Sequence, residues 1–159
     1  MARGKEAIET RYKDFITQVV ETGIVWILDN DEGIAVSTSN EFYDEEGEES
    51  GIVLFWSTET DAKNVAVKEW SDYKPEAVDL DVFLEFSIVK ISNEDMLMGI
   101  NWTPAMEGKE IHPVEIALEI IKELEATGKT VEFKHHKDLA EYKEVTTRVA
   151  EEIFGDGNE

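Results

Sequence analysis

The sequence predicts an α+β fold: a mostly antiparallel sheet of about four strands packed with helices, followed by a C-terminal helical extension. Three observations carry that expectation. Gly51 to Trp56 (GIVLFW) is almost continuously apolar, as a strand buried on both faces must be. Ile24–Leu28 and Ile34–Thr38 are β-branched runs on either side of the turn residues Asp29–Gly33, the pattern of an antiparallel hairpin. Apolar stripes of helical period flank this sheet-like centre on both sides.

Each element has its own justification. Gly4–Glu21 reads as a helix, because Ile8, Tyr12, Phe15, Ile16, Val19 and Val20 share a face and Gly23 can take the left-handed closing position. The hairpin turn contains Asp29, Asp31 and Glu32, which raises the question of a calcium loop. An EF-hand needs glycine sixth and glutamate twelfth, whereas Gly33 is fifth from Asp29 and Asn40 is twelfth, so an ordinary turn is expected. Ser39–Ser50 follows as an acidic loop with one apolar point, Phe42-Tyr43. After the central strand, Thr58-x-x-Asp61 resembles a capping box. Ala62, Val65, Ala66 and Trp70 form an inward stripe, ended by Tyr73-Lys74-Pro75.

Asp79 is expected to cap a further helix carrying Leu80, Phe83, Leu84 and Ile88. Met96–Trp102 is the last main strand, and Trp102–Gly108 a loop in which Trp102 is expected to be partly exposed. His112-Pro113 opens a helix with Ile116, Ala117, Ile120, Ile121 and Leu124 inward, stopped by Gly128. Thr130–Phe133 is a candidate edge strand. Asp138 starts a final helix whose stripe (Leu139, Tyr142, Val145, Val149, Ile153) is narrow, and GDGNE is expected to fray. The expected organisation is a core domain over residues 1–125 and an extension over residues 126–159.

The 159 residues carry 37 acidic and 15 basic side chains, a net charge of −22. Such a field repels phosphates, so nucleic acid is not an expected partner. No apolar run approaches the ~18 residues of a membrane span, and the N-terminus lacks the apolar core of a signal peptide. The absence of cysteine excludes disulfides and thiolate sites and fits the cytoplasm. The charge is uneven: from Asp14 through Ala62 there is no Lys, Arg or His. No nucleophile elbow, dinucleotide fingerprint or P-loop is present, so no catalytic or cofactor-binding residue is assigned. His135-His136 with Asp138 could suggest a metal, but adjacent side chains diverge on regular elements, and none is expected.

The stretches VWILDNDEGIAV, GIVLFWSTETDAKNVAVKEWSDYKPEAVDLDVFLE and MLMGINW, with the Glu110–Ile116 helix start, carry a resemblance. Trp70-x-x-Tyr73-x-Pro75 followed by the acid-Leu-x-x-Phe-Leu run (Asp79 to Leu84) is the most specific part. Over approximately residues 11–125 the chain resembles the bacterial domain-of-unknown-function family numbered twenty-seven fifty. That resemblance implies no activity and no catalytic residues. Similar strand-then-helix layouts occur in the serine-sensitivity-enhancing family and in bacterial immunity proteins, an analogy of layout alone that raises the weight of a binding module.

The expected function is therefore a small acidic cytoplasmic interaction module engaging a basic protein. Its candidate contacts are Phe42, Tyr43, Asp44, Glu45, Glu46, Glu48, Glu49 and Trp102. The alternatives are a ligand- or metal-binding protein or enzyme with a carboxylate-lined pocket near Trp102 and His112, and a homodimer joined through the C-terminal helix.

Overall fold

Helix α1 (Ala2–Thr22) buries Tyr12, Phe15, Ile16, Val19 and Val20 along the stripe that the sequence spells out. Gly23 ends it at φ +73°, donating its N–H to the Val19 carbonyl. In the computed structural model, residues 2–43, 49–67, 70–105 and 107–155 are described. Strands β1 (Ile24–Asn30) and β2 (Gly33–Ile34) form a hairpin much shorter than expected: only Asp29 and Asn30 pair with Ile34 and Gly33, while Val36–Thr38, expected to continue the second strand, pair with another strand instead. The turn is built by Asn30, whose side-chain oxygen accepts from the N–H groups of Glu32 and Gly33.

The chain then passes through the buried Ala35 into a second sheet, in which β3 (Val36–Tyr43) pairs antiparallel with β4 (Glu49–Phe55). The acidic loop expected over Ser39–Ser50 is thus mostly strand. Only residues 44–48 connect the two strands, and they lie outside the described residues.

Helix α2 (Glu59–Val65) is capped by Thr58, whose side chain accepts from the Asp61 N–H. It ends at Val65, earlier than its sequence stripe predicts, where Ala66 leaves helical geometry at ψ 60°. Trp70 instead packs at a tilt against Tyr73, their ring centroids 5.0 Å apart, and both border the second core. Residues Lys74–Asp79 form an unpredicted strand, β5, on the free edge of β1. Its proline and its mostly exposed side chains fit an edge position and hide its strand character from the sequence.

A helical run follows as α3 (Leu80–Val82), a π-helical turn (Phe83–Ser87) and α4 (Ile88–Asn93). Asp79 stands at its N-cap without a side-chain capping bond. Strand β6 (Leu97–Ile100) joins β4 in parallel, and β7 (Lys109–Ile111), hidden in the sequence by its length, closes the order β3-β4-β6-β7. Helix α5 (Pro113–Thr127) has Pro113 in its first turn and Gly128 at φ +70° behind it. Thr130–Phe133 is not a strand; the segment has no regular structure, and Val131 and Phe133 pack against the core. Helix α6 (Leu139–Phe154) is capped by Asp138 and buries Tyr142 and Thr146, leaving Val145, Ile153 and Phe154 exposed. Of the expected fraying GDGNE end, residues 156–159 lie outside the described residues.

The result is α+β, with two sheets of three and four strands in which only β4–β6 is parallel. Strand β4 explains its own sequence. Val53 and Phe55 enter the main core among α1, the π turn and α5, while Ile52, Leu54 and Trp56 enter a second core with Leu28, Ala62 and Val65. Trp26 and Trp56 exchange two backbone hydrogen bonds of 2.8 and 2.9 Å, which tie the two sheets together.

Candidate functional site

The C-terminal ends of the two parallel strands, a common place for ligands in open sheets, carry buried polar groups. Ser57 is 3% and Asn101 5% exposed. Asn101 Oδ1 accepts from the Ser57 N–H at 2.9 Å, and its Nδ2 donates to the Arg11 carbonyl and to Ser57 Oγ at 3.1 and 3.0 Å. Ser57 Oγ also meets Gln18 Oε1. Asn101 sits at φ +51°, a left-handed position that asparagine tolerates. Among the described residues the side-chain partners of Ser57 are Asn101 and Gln18, so the cluster locks α1 to both strand ends. Gln18, Ser57 and Asn101 were missed by the sequence reading; a polar residue directly after each apolar strand was the available signal.

Trp102 is 4% exposed, which corrects the expectation of an exposed loop aromatic. Its ring folds inward because Gly99 and Gly108 leave room for it, and its Nε1 donates to the Lys109 carbonyl at 3.1 Å. Trp56 Nε1 in turn donates to the Trp102 carbonyl at 2.9 Å. A Cβ on Gly99 would lie 2.7 Å from Trp102 Nε1 and 2.8 Å from Ile52 Cγ2. Gly99→Ala is therefore expected to destabilise the protein by about 1–3 kcal/mol. Chemical denaturation measures it, and an unchanged midpoint would mean that the ring can move aside freely.

The histidines act locally. His112 is the N-cap of α5: its Nδ1 accepts from the Val114 N–H at 3.1 Å, and its ring stands edge-on to Phe154. Burial pushes its pKa down, against the smaller opposing pull of Glu115 and Asp95, which keeps the ring in the neutral form that can accept. His136 Nδ1 lies 2.7 Å from Glu85, while Asp138 Oδ1 caps α6 through the Glu141 N–H at 2.9 Å. The sequence neighbours are thus engaged separately, and no group of three or more metal-capable side chains is found among the described residues.

Acidic groups concentrate at the far end of the hairpin. A hollow of ≈ 450 Å³ is lined by Asp29, Asn30, Asp31, Glu32, Asp72 and Lys74. Asn30 Nδ2 donates to Asp72 at 3.0 Å. The β1–β5 register sets Asp29 opposite Lys74, yet Asp29 also meets Glu76 diagonally. The hydrogen bond to Asp29, and then its charge, raise the Glu76 carboxyl above its ordinary range. Of the contacts expected from sequence, Phe42 and Tyr43 lie on β3 and Glu49 opens β4 opposite Tyr43. Asp44, Glu45, Glu46 and Glu48 lie outside the described residues.

No helix among the described residues is long and apolar enough to cross a membrane. A family model described only as a protein of unknown function matches residues 12–120. No curated protein and no solved structure matches the chain.

Proposed function

The chain belongs to the DUF2750 family, a family of unknown function, and from that premise we propose that it is a cytoplasmic interaction module that engages a basic protein partner. The observation that carries this reading is the carboxyl pair Asp29–Glu76. Glu76 sits diagonally across from Asp29, and Asp29, Asp31, Glu32 and Asp72 line the adjoining hollow against the single cation Lys74, so acids outnumber bases on this surface. A cationic partner relieves the resulting negative potential, so association gains what the isolated protein forgoes. The acidic segment Asp44–Glu49 supplies further carboxylates to steer encounter, and its sequence neighbours Phe42 and Tyr43 supply the lasting contacts. A chain without cysteine suits a reducing compartment.

Capture of partners from host lysate at low and high salt tests the proposal. The expected partner has a basic surface, and its retention falls steeply as salt shortens the screening length from about 30 Å at 0.01 M to about 8 Å at 0.15 M. Changing Glu45, Glu46, Glu48 and Glu49 together to Gln should weaken retention severalfold. Retention that ignores both salt and these substitutions would reject the reading.

A further inference from the structure

Helices α1 and α5 lie side by side over β7, and between them runs an open groove of ≈ 710 Å³. Its floor is apolar: Ile16 and Ile111 are each 7% exposed, with Leu118 beside them. Tyr12 is also on the floor, 7% exposed, and its hydroxyl has no hydrogen-bond partner. An unpaired hydroxyl in such a place is costly unless something supplies a partner.

The two walls differ. On α1, Glu9 is neutralised by Lys109 at 2.6 Å, and that ammonium also stands 5.4 Å from the Tyr12 ring centroid. Lys13 and Thr17 complete that wall. On α5, Glu115, Glu119 and Glu123 recur every fourth residue along the groove, with Lys122 as the one cation among them. Among the described residues no ion pair involves these three glutamates. Their field reaches the floor: after burial, the charges of Glu119, Glu115 and Glu9 push the Tyr12 phenol up, so it stays neutral and able to donate or accept.

We propose that this groove docks one amphipathic basic helix of the partner protein, its apolar face on Ile16 and Leu118 and a Lys or Arg row alongside Glu115, Glu119 and Glu123. The inference rests on the partner being basic, as argued above, and adds where it binds and in what form. Carboxylates four residues apart on a helix recur about every 6.0 Å and match cations placed four apart on a partner helix, whereas an extended strand repeats its same-face side chains every ~6.6–6.8 Å. Three acids four apart span about 12 Å, so some two to three turns of partner helix suffice. A second copy of this chain fits poorly, because it would bring another −22 of charge to an acidic wall. Helix-in-groove recognition is a recurring mode that uses this combination of apolar anchors and flanking charge.

The test uses the full chain, isotope-labelled for NMR, and three amidated peptides of roughly four helical turns, long enough to form helix on binding. One places Leu on one face and a Lys row beside it at every fourth position. The second has the same composition scrambled, and the third replaces Lys by Glu. The first peptide is expected to shift resonances of Tyr12, Ile16 and Leu118. Its affinity should drop about tenfold when Glu115, Glu119 and Glu123 are together changed to Gln. Equal binding of the scrambled peptide, or shifts confined to residues 29–32 and 72–76, would refute the groove while leaving a basic partner in place. Binding of neither basic peptide at low salt would overturn both the groove and the reading beneath it.

Discussion

Trp56→Ala is expected to remove about 4 kcal/mol of stability, the largest loss of any single truncation in this chain. Trp56 is fully buried and is the largest such side chain. It fills the second core between Leu28, Ile52, Ala62 and Trp102, and its Nε1 satisfies the buried Trp102 carbonyl. Truncation therefore creates a cavity and orphans an acceptor together. Its backbone also bridges to Trp26 across the two sheets, but that pairing does not depend on the side chain. Trp56→Phe separates the two effects, since it keeps most of the volume and loses only the donor, at about 1–3 kcal/mol. Against a typical total of about 5–15 kcal/mol, the alanine variant should lower the melting temperature by roughly 10 °C or more. Thermal and urea unfolding of both variants measure this; a loss below about 1 kcal/mol for Trp56→Ala would mean that the core collapses around the gap.

The legibility of this fold follows from where each strand sits. Strand β4 could be read because burial on both faces leaves no polar position to disguise it. Strand β5 could not, because an edge strand tolerates Pro75 and exposed charge, and Lys-Pro-Glu reads as a helix stop. Ser39–Tyr43 was hidden for a related reason: it leads directly into the acidic run that starts at Asp44 and so reads as part of a solvated loop, although an open edge strand tolerates polar residues such as Asn40 and Glu41. Trp102 was misplaced because a loop tryptophan turns inward when the chain around it is thin, and the two glycines that make the room gain their meaning only in three dimensions. The α1/α5 groove was invisible for a different reason. Its acids occupy outward helix positions, where charge is ordinary, and only the packing of two helices turns them into one wall. Local capping chemistry was legible at Thr58, His112 and Asp138, because a cap needs only neighbours in sequence.

Glu85→Ala is expected to release the C-terminal segment from the core at a cost of about 2–4 kcal/mol. Glu85 lies in the π-helical turn, and its side chain is only 4% exposed. Its Oε1 accepts from the Lys134 N–H, and its Oε2 accepts from the His135 N–H and meets His136 Nδ1, each at 2.7 Å. One residue earlier, the Leu84 carbonyl accepts from the Tyr142 hydroxyl at 2.8 Å, and Phe133 stacks on the Tyr142 ring. The π turn thus holds the connection and the helix beyond it through a single carboxylate and a single carbonyl. Burial raises the Glu85 carboxyl, but the His136 hydrogen bond and the two backbone amides lower it further, and the net direction is down. A depressed folded pKa stabilises above the unfolded carboxylate value of about 4.3 and loses that contribution as pH falls through the folded value. The protection of α6 amides relative to their intrinsic exchange rates should therefore fall as the solution is acidified below about pH 4, while the core helices stay protected. In Glu85→Ala the same amides should exchange quickly at neutral pH and show no further acid step. Glu85→Gln, which retains an acceptor but not the charge, should fall between the two. Unchanged α6 protection in Glu85→Ala would show that Tyr142 and its apolar neighbours hold the segment without the carboxylate.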